Sequence, residues 1–171
     1  MQELDSIMIE PIVSFDKFDV NNVLVDRAGV EEHIPQRFEM AQLDGVLYLD
    51  ADTMTAVGYK DVTEDEFWVR GHMPGFPLMP GVIICESTAQ LVAYMASLYD
   101  IKGGGIVGFG GIDKVKFRGM VVPGDKLIVM ARKKRLRKNV MVICEIQGYV
   151  EDRLVVDGEI KGVVLPATAT P

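Results

Sequence analysis

Cysteine, histidine and positive charge are all scarce in this chain, and each shortage closes off a class of protein. The two cysteines, Cys85 and Cys144, sit in apolar runs. They make no disulfide framework, and reduced, buried thiols in a cytoplasmic protein are the expectation. The two histidines, His33 and His72, lie far apart among different neighbours, so no metal site is expected. Lys and Arg number 18 against 25 Asp and Glu, giving a net charge of −7. That balance argues against a nucleic-acid partner. The first five residues lack a basic start followed by an apolar stretch, so a secretory signal is not expected. No internal repeat or low-complexity segment is visible.

What is present suits a globular domain. The 171 residues are 49% hydrophobic and 25% charged, enough to bury a core without covalent staples. Residues 1–25 show no clear periodicity and read as an N-terminal extension to a single domain over 26–171. Asp26 is placed to cap a short helix that ends before Pro35. From Gly45 to Tyr59 the chain is rich in β-formers, broken by the turn-like Asp50-Ala51-Asp52-Thr53, which predicts a hairpin. Residues 81–100 predict the longest helix, with almost no polar face. A helix apolar all round is buried in a core or in a membrane. Glu86, Ser87, Thr88 and Gln90 make this one too polar and too short for a membrane span, so a central core helix is expected. Gly103-Gly104-Gly105 is expected to end it. Four strands are predicted beyond it, over 106–118, 125–135, 139–151 and 153–165, with turns at Pro123-Gly124-Asp125, Lys138-Asn139 and Glu151-Asp152. Strands around one buried helix define an α+β fold, a curved antiparallel sheet wrapping a long central helix in the hot-dog manner.

The chemistry concentrates between Gly71 and Glu86. Three prolines restrict the loop that carries His72, whose imidazole is suited to act as a base near neutrality. Pro80 opens a helix whose first N–H groups, at Gly81 and Val82, lack intrahelical partners and can hold negative charge on an oxygen. Glu86 lies in an apolar run, where the neutral acid is favoured over the carboxylate. Gln90, four residues on, shares its helical face and is placed to orient it. A base, an oxyanion site and a neutral acid suit proton abstraction beside a thioester carbonyl with loss of a β-hydroxyl. The plainer readings are a structural loop histidine and a glutamate paired with a distant cation. His33, near a helix end among acidic residues, is read as non-catalytic.

The pattern His-x-Pro-Gly-x-Pro-x-x-Pro-Gly-Val from His72, with Glu86 and Gln90 at their spacing, resembles the (3R)-hydroxyacyl-[acyl-carrier-protein] dehydratases of type II fatty acid synthesis. The resemblance continues through Phe109-Gly110-Gly111-Ile112-Asp113 and Val121-Val122-Pro123-Gly124-Asp125, and spans about 34 to 165. It implies a homodimer, often a trimer of dimers, in which His72 of one subunit faces Glu86 of the other. It also implies that the Gly81 N–H donates to the thioester carbonyl, and that substrate arrives on the phosphopantetheine arm of acyl carrier protein. No cofactor and no membrane insertion are implied. Glu86, where bifunctional relatives carry Asp, implies dehydration without isomerisation. The basic run of Arg132, Lys133, Lys134, Arg135, Arg137 and Lys138 gains a candidate role in docking the acidic carrier; the plainer reading is a solvated hairpin end.

The chain departs from the family pattern at Gln36, where His is common, at Glu39, Met40, Ala41 and Gln42, and at Gly108, where an aromatic gate is common. These departures open a place in a specialised lipid or polyketide pathway. Two rival readings are a thioesterase on the same fold and a non-catalytic acyl-binding subunit.

Overall fold

A computed structural model of the chain describes residues 9–166. The expectation about a secretory signal, and the first eight residues of the extension, lie outside the described residues. Seven strands form one antiparallel sheet: β1 (Val25–Asp26), β2 (Gly45–Asp50), β3 (Thr55–Asp61), β4 (Ile106–Phe117), β5 (Lys126–Arg137), β6 (Met141–Val150) and β7 (Arg153–Leu165). Their order is β1-β2-β3-β5-β6-β7-β4, so β4 is an edge strand although it lies mid-chain. The short helix α1 (Arg27–Glu31) precedes β2, and the long helix α2 (Gly81–Leu98) lies between β3 and β4.

Alternation along the strands makes two cores. On β5, Leu127, Val129 and Ala131 face the core shared with Ile84, Leu91 and Met95 of α2. Ile128 and Met130 face away from it and join Val57 and Tyr149 in a second cluster. α2 touches β3, β4, β5, β6 and β7, so the sheet is wrapped around it, as the sequence predicts. By length and composition α2 is apolar enough to cross a membrane; here it is the helix that the sheet encloses.

The far face of the sheet is covered by residues read from sequence only as an aperiodic extension. Val13 is buried there, and Phe15 packs edge-on to Tyr149 with ring centroids 5.2 Å apart. Gln147 ties the segment down: its Oε1 accepts from the Ile12 N–H at 2.7 Å and its Nε2 donates to the Glu10 carbonyl at 3.0 Å.

Most local signals lead where expected. The Asp26 carboxylate caps α1 by accepting from Gly29 N at 2.9 Å. Asp50 accepts from Thr53 Oγ1 at 2.8 Å in the turn between β2 and β3. The helix end differs from expectation. Asp100, at φ 51, adopts the left-handed conformation before the glycines are reached. Its N–H donates to Ser97 and that of Ile101 donates to Ala96, which closes α2 at Leu98 by satisfying its last carbonyls.

Candidate active site

The loop that carries His72 is held by its own backbone. Pro74 and Gly75, the latter at φ 78, make a tight turn in which Met73 and Phe76 exchange hydrogen bonds. The His72 N–H donates to Trp68 O at 2.7 Å, and Leu78 N donates back to His72 O at 2.8 Å. Trp68 is buried in the main core, so the loop is anchored at its base. These bonds fix the ring as well as the chain. His72 Nδ1 lies 2.6 Å from the Leu78 carbonyl, which can only accept. Nδ1 therefore donates, so in the neutral ring Nε2 is the nitrogen without a proton.

Pro80 caps α2, and its carbonyl accepts from both Ile83 and Ile84. Among the described residues the N–H groups of Gly81 and Val82 have no backbone acceptor. They open on an apolar cavity lined by His72, Leu78, Met79, Gly81, Val82 and Phe117, among others. Glycine at position 81 leaves room for the Phe117 ring, since a Cβ there would lie 2.7 Å from Phe117 Cζ and displace it. The cavity thus joins a free imidazole nitrogen to two unspent N–H donors and the positive end of a helix dipole.

Glu86 does not line this cavity. Five residues after Gly81, it sits about 7.5 Å further along the axis and roughly 140° around it. It opens instead into a second cavity with Gln36, Ala89, Ala93, Val107 and Phe109. Gln90, fully buried, holds it. Gln90 Nε2 donates to Glu86 Oε1 at 2.8 Å and to Met40 O at 2.6 Å, while Gln90 Oε1 accepts from Gln42 N at 2.8 Å. The Gln42 N–H can only donate and the Met40 carbonyl can only accept, so the amide cannot be turned round. Glu86 Oε1 is therefore an acceptor, which leaves Oε2 as the free oxygen.

His33 lines neither cavity. Its Nδ1 is 3.1 Å from Ser97 Oγ near the end of α2, and its ring packs edge-on to Tyr94. The basic run lies on β5 toward that same end, where Lys138 reaches Asp100 at 3.4 Å. Arg132 pairs with Glu145 and Lys134 with Glu159, while Lys133, Arg135 and Arg137 have no carboxylate partner among the described residues. Burial raises the Cys85 thiol and pushes Cys144 up to about 12, so neither is a ready nucleophile. Among the described residues no three His, Cys, Asp or Glu side chains are grouped to hold a metal ion.

Sequence reasoning did not reach the backbone of Met40 and Gln42 as the frame of Gln90. It also missed a buried ion cluster in which Lys60 meets Glu66 at 2.6 Å and Asp44 at 3.5 Å. A lysine in the run Val57-Gly58-Tyr59-Lys60 was the only signal available.

A sheet wound around one sheathed helix, with a histidine loop at the helix head, defines a hot-dog protein. A family model described as a FabA-like domain matches residues 34–159. The curated 3-hydroxyacyl-[acyl-carrier-protein] dehydratase FabZ of Streptococcus pneumoniae serotype 4 is 36% identical over 135 residues, covering 79% of this chain and 94% of that protein. The chain belongs to this FabA-like dehydratase family. Among solved structures, the dehydratase heterocomplex ApeI:P from Xenorhabdus doucetiae matches with a TM-score of 0.69 at 15% identity, covering 81% of this chain and 92% of that one. The Escherichia coli PaaI protein, from the phenylacetic acid degradation operon, matches with a TM-score of 0.55 at 16% identity, covering 69% and 80%. Both show the shared fold.

Proposed function

We propose that this chain dehydrates (3R)-3-hydroxyacyl-[acyl-carrier-protein] to the trans-2-enoyl product in fatty acid biosynthesis, as a cytoplasmic homodimer. The observation that carries the reading is the His72 tautomer: Nε2 is free and shares a cavity with the Gly81 N–H. Nε2 removes a proton from C2. The Gly81 N–H, with that of Val82 beside it, holds the charge that gathers on the thioester oxygen. The C2 electron pair forms the C2–C3 double bond, the C3–oxygen bond breaks, and Glu86 gives its proton to the departing hydroxyl as water. The imidazolium then returns a proton to Glu86, through solvent. The residues need no metal and no cofactor for these steps.

On this reading the acid comes from a second chain; that His72 and Glu86 open into different cavities of one protomer supports it. Two surfaces favour a partner. Edge strand β4 exposes Phe109 and Ile112, at 52% and 45%, beside an unpaired edge. The stripe Val82, Glu86, Ala89 and Ala93 runs along one side of α2 without full cover, and Val82 is 73% exposed. Assembly into a trimer of dimers belongs to the reading by family resemblance alone. Carrier docking on Lys133, Arg135 and Arg137 rests on their unpaired charge.

The test is complementation. His72→Ala and Glu86→Ala should each lower kcat by about 10²–10⁴-fold. Random mixing of the two should restore roughly a quarter of the wild-type rate, since half the dimers are mixed and each keeps one whole site. No recovery in verified mixed dimers would overturn the shared site. Enoyl product without free thiol separates dehydration from thioester hydrolysis, and the absence of a 3-enoyl product separates it from isomerisation.

A further inference from the structure

The turn leading into the sheet carries an amide with an unmet bond. Gln36 lines the Glu86 cavity, and its Oε1 is buried with no hydrogen-bond partner among the described residues. A bare buried acceptor is destabilising, and its retention points to a donor that arrives from outside. The placement is built. Arg37 Nη1 donates to the carbonyls of Ile34 at 2.7 Å and Gln36 at 2.8 Å, and its Nη2 donates to that of Glu31 at 2.8 Å. Ile34 is itself buried in the main core, so the turn is pinned on both sides of Gln36.

The rest of the cavity is poor in acceptors. Ala89, Val92, Ala93, Val107 and Ile160 bring no polar side-chain atom, and Lys161 can only donate. Gln36 and Glu86 are therefore the side-chain acceptors among the residues that line this space, and no side-chain hydrogen bond among the described residues keeps the Gln36 amide from turning its Oε1 into it when a donor arrives.

We propose that Gln36 Oε1 receives the hydrogen of the substrate's 3-hydroxyl and so positions the leaving group. This rests on the reading of Glu86 as the acid. A hydroxyl has one hydrogen to give and lone pairs to offer. With its hydrogen on Gln36, a lone pair is turned to the Glu86 proton. When the C3–oxygen bond breaks, its electron pair stays with oxygen, which takes that proton. The new water keeps one O–H on Gln36 Oε1 and gives the other to the Glu86 carboxylate. Hydration of the enoyl chain starts from the same water, held the same way. The residue separates hydroxylated chains from saturated ones, because only the former satisfy it.

The experiment compares Gln36→Leu and Gln36→Ile, which remove the acceptor at similar size, with Gln36→His, which restores one. Steady-state kinetics are read beside binding of 3-hydroxyacyl and saturated acyl chains of equal length on the same carrier. Both acceptor-free variants should lose about 10–100-fold in kcat and their preference for the hydroxylated chain, with thermal stability kept. Gln36→His should recover most of both. A folded acceptor-free variant within about threefold of wild type in kcat, with the preference intact, overturns the proposal; the two variants guard against a failure of either to fold. Glu86→Gln is measured alongside. If it is active, the acid reading falls and this proposal with it. If it is inactive while the Gln36 variants are normal, this proposal alone falls.

Discussion

Gln90 has three hydrogen-bonding valences in use, and each goes to a different piece of the chain: Met40 O, Gln42 N and Glu86 Oε1. Gln90→Leu keeps the bulk and removes all three. It leaves the buried Gln42 N–H bare, at about 1–3 kcal/mol, and takes a donor from the part-buried Met40 carbonyl. The thermal midpoint should fall by several degrees, and kcat should fall more than KM changes, because the acid loses its orientation while the acyl-binding surface stays. An unchanged melt with a purely KM effect would refute this. His72 is governed by the same kind of inventory: one carbonyl, that of Leu78, decides which ring nitrogen is free.

At the scale of elements, α2 carries both halves of the proposed chemistry, with bare N–H groups at its head and Glu86 on its flank. Its start depends on a close approach. In Gly81→Ala the new Cβ would sit 2.7 Å from Phe117 Cζ and 2.9 Å from its Cε1. Phe117 is half exposed and can yield, so the melt should shift little. Because the ring lines the His72 cavity, its displacement reshapes that cavity, so activity should drop about 10-fold or more. Gly81→Ala with Phe117→Leu should regain part of the loss; no regain would mean that the damage lies elsewhere. The helix was legible in the sequence because its apolar run is long and its opening proline unambiguous. Its end was not: three glycines are a stronger signal than Asp100, yet Asp100 makes the left-handed turn, since Ile101 is drawn back into the core. The strands were legible by alternation and turn residues, Asn139 and Glu151 adopting the positive φ of tight turns. The edge position of β4 was not, because strand order depends on long-range pairing that a linear pattern does not encode.

At the scale of the whole molecule, the sheet has a core on each face. Removing residues 1–20 should bare Val57, Ile128, Met130 and Tyr149, lower the melting temperature, and raise binding of a fluorescent apolar dye; unchanged dye binding would show that the cover is dispensable. This cover was not legible in the linear pattern, since an irregular segment buries side chains without periodicity. His72, Glu86 and Gln90 were legible because their spacing is local. Gln36 and the two backbone groups that set Gln90 were not, for those partners come from 36–42 and meet the helix only in three dimensions. That meeting has a further consequence. On the proposed reading, the oxygen with which Glu86 acts is selected, through Gln90, by backbone atoms about 45 residues upstream of it, so the loop and the acid become competent in a single event. A chain whose sheet has closed while this loop is still loose would be chemically silent rather than a weaker and less discriminating catalyst.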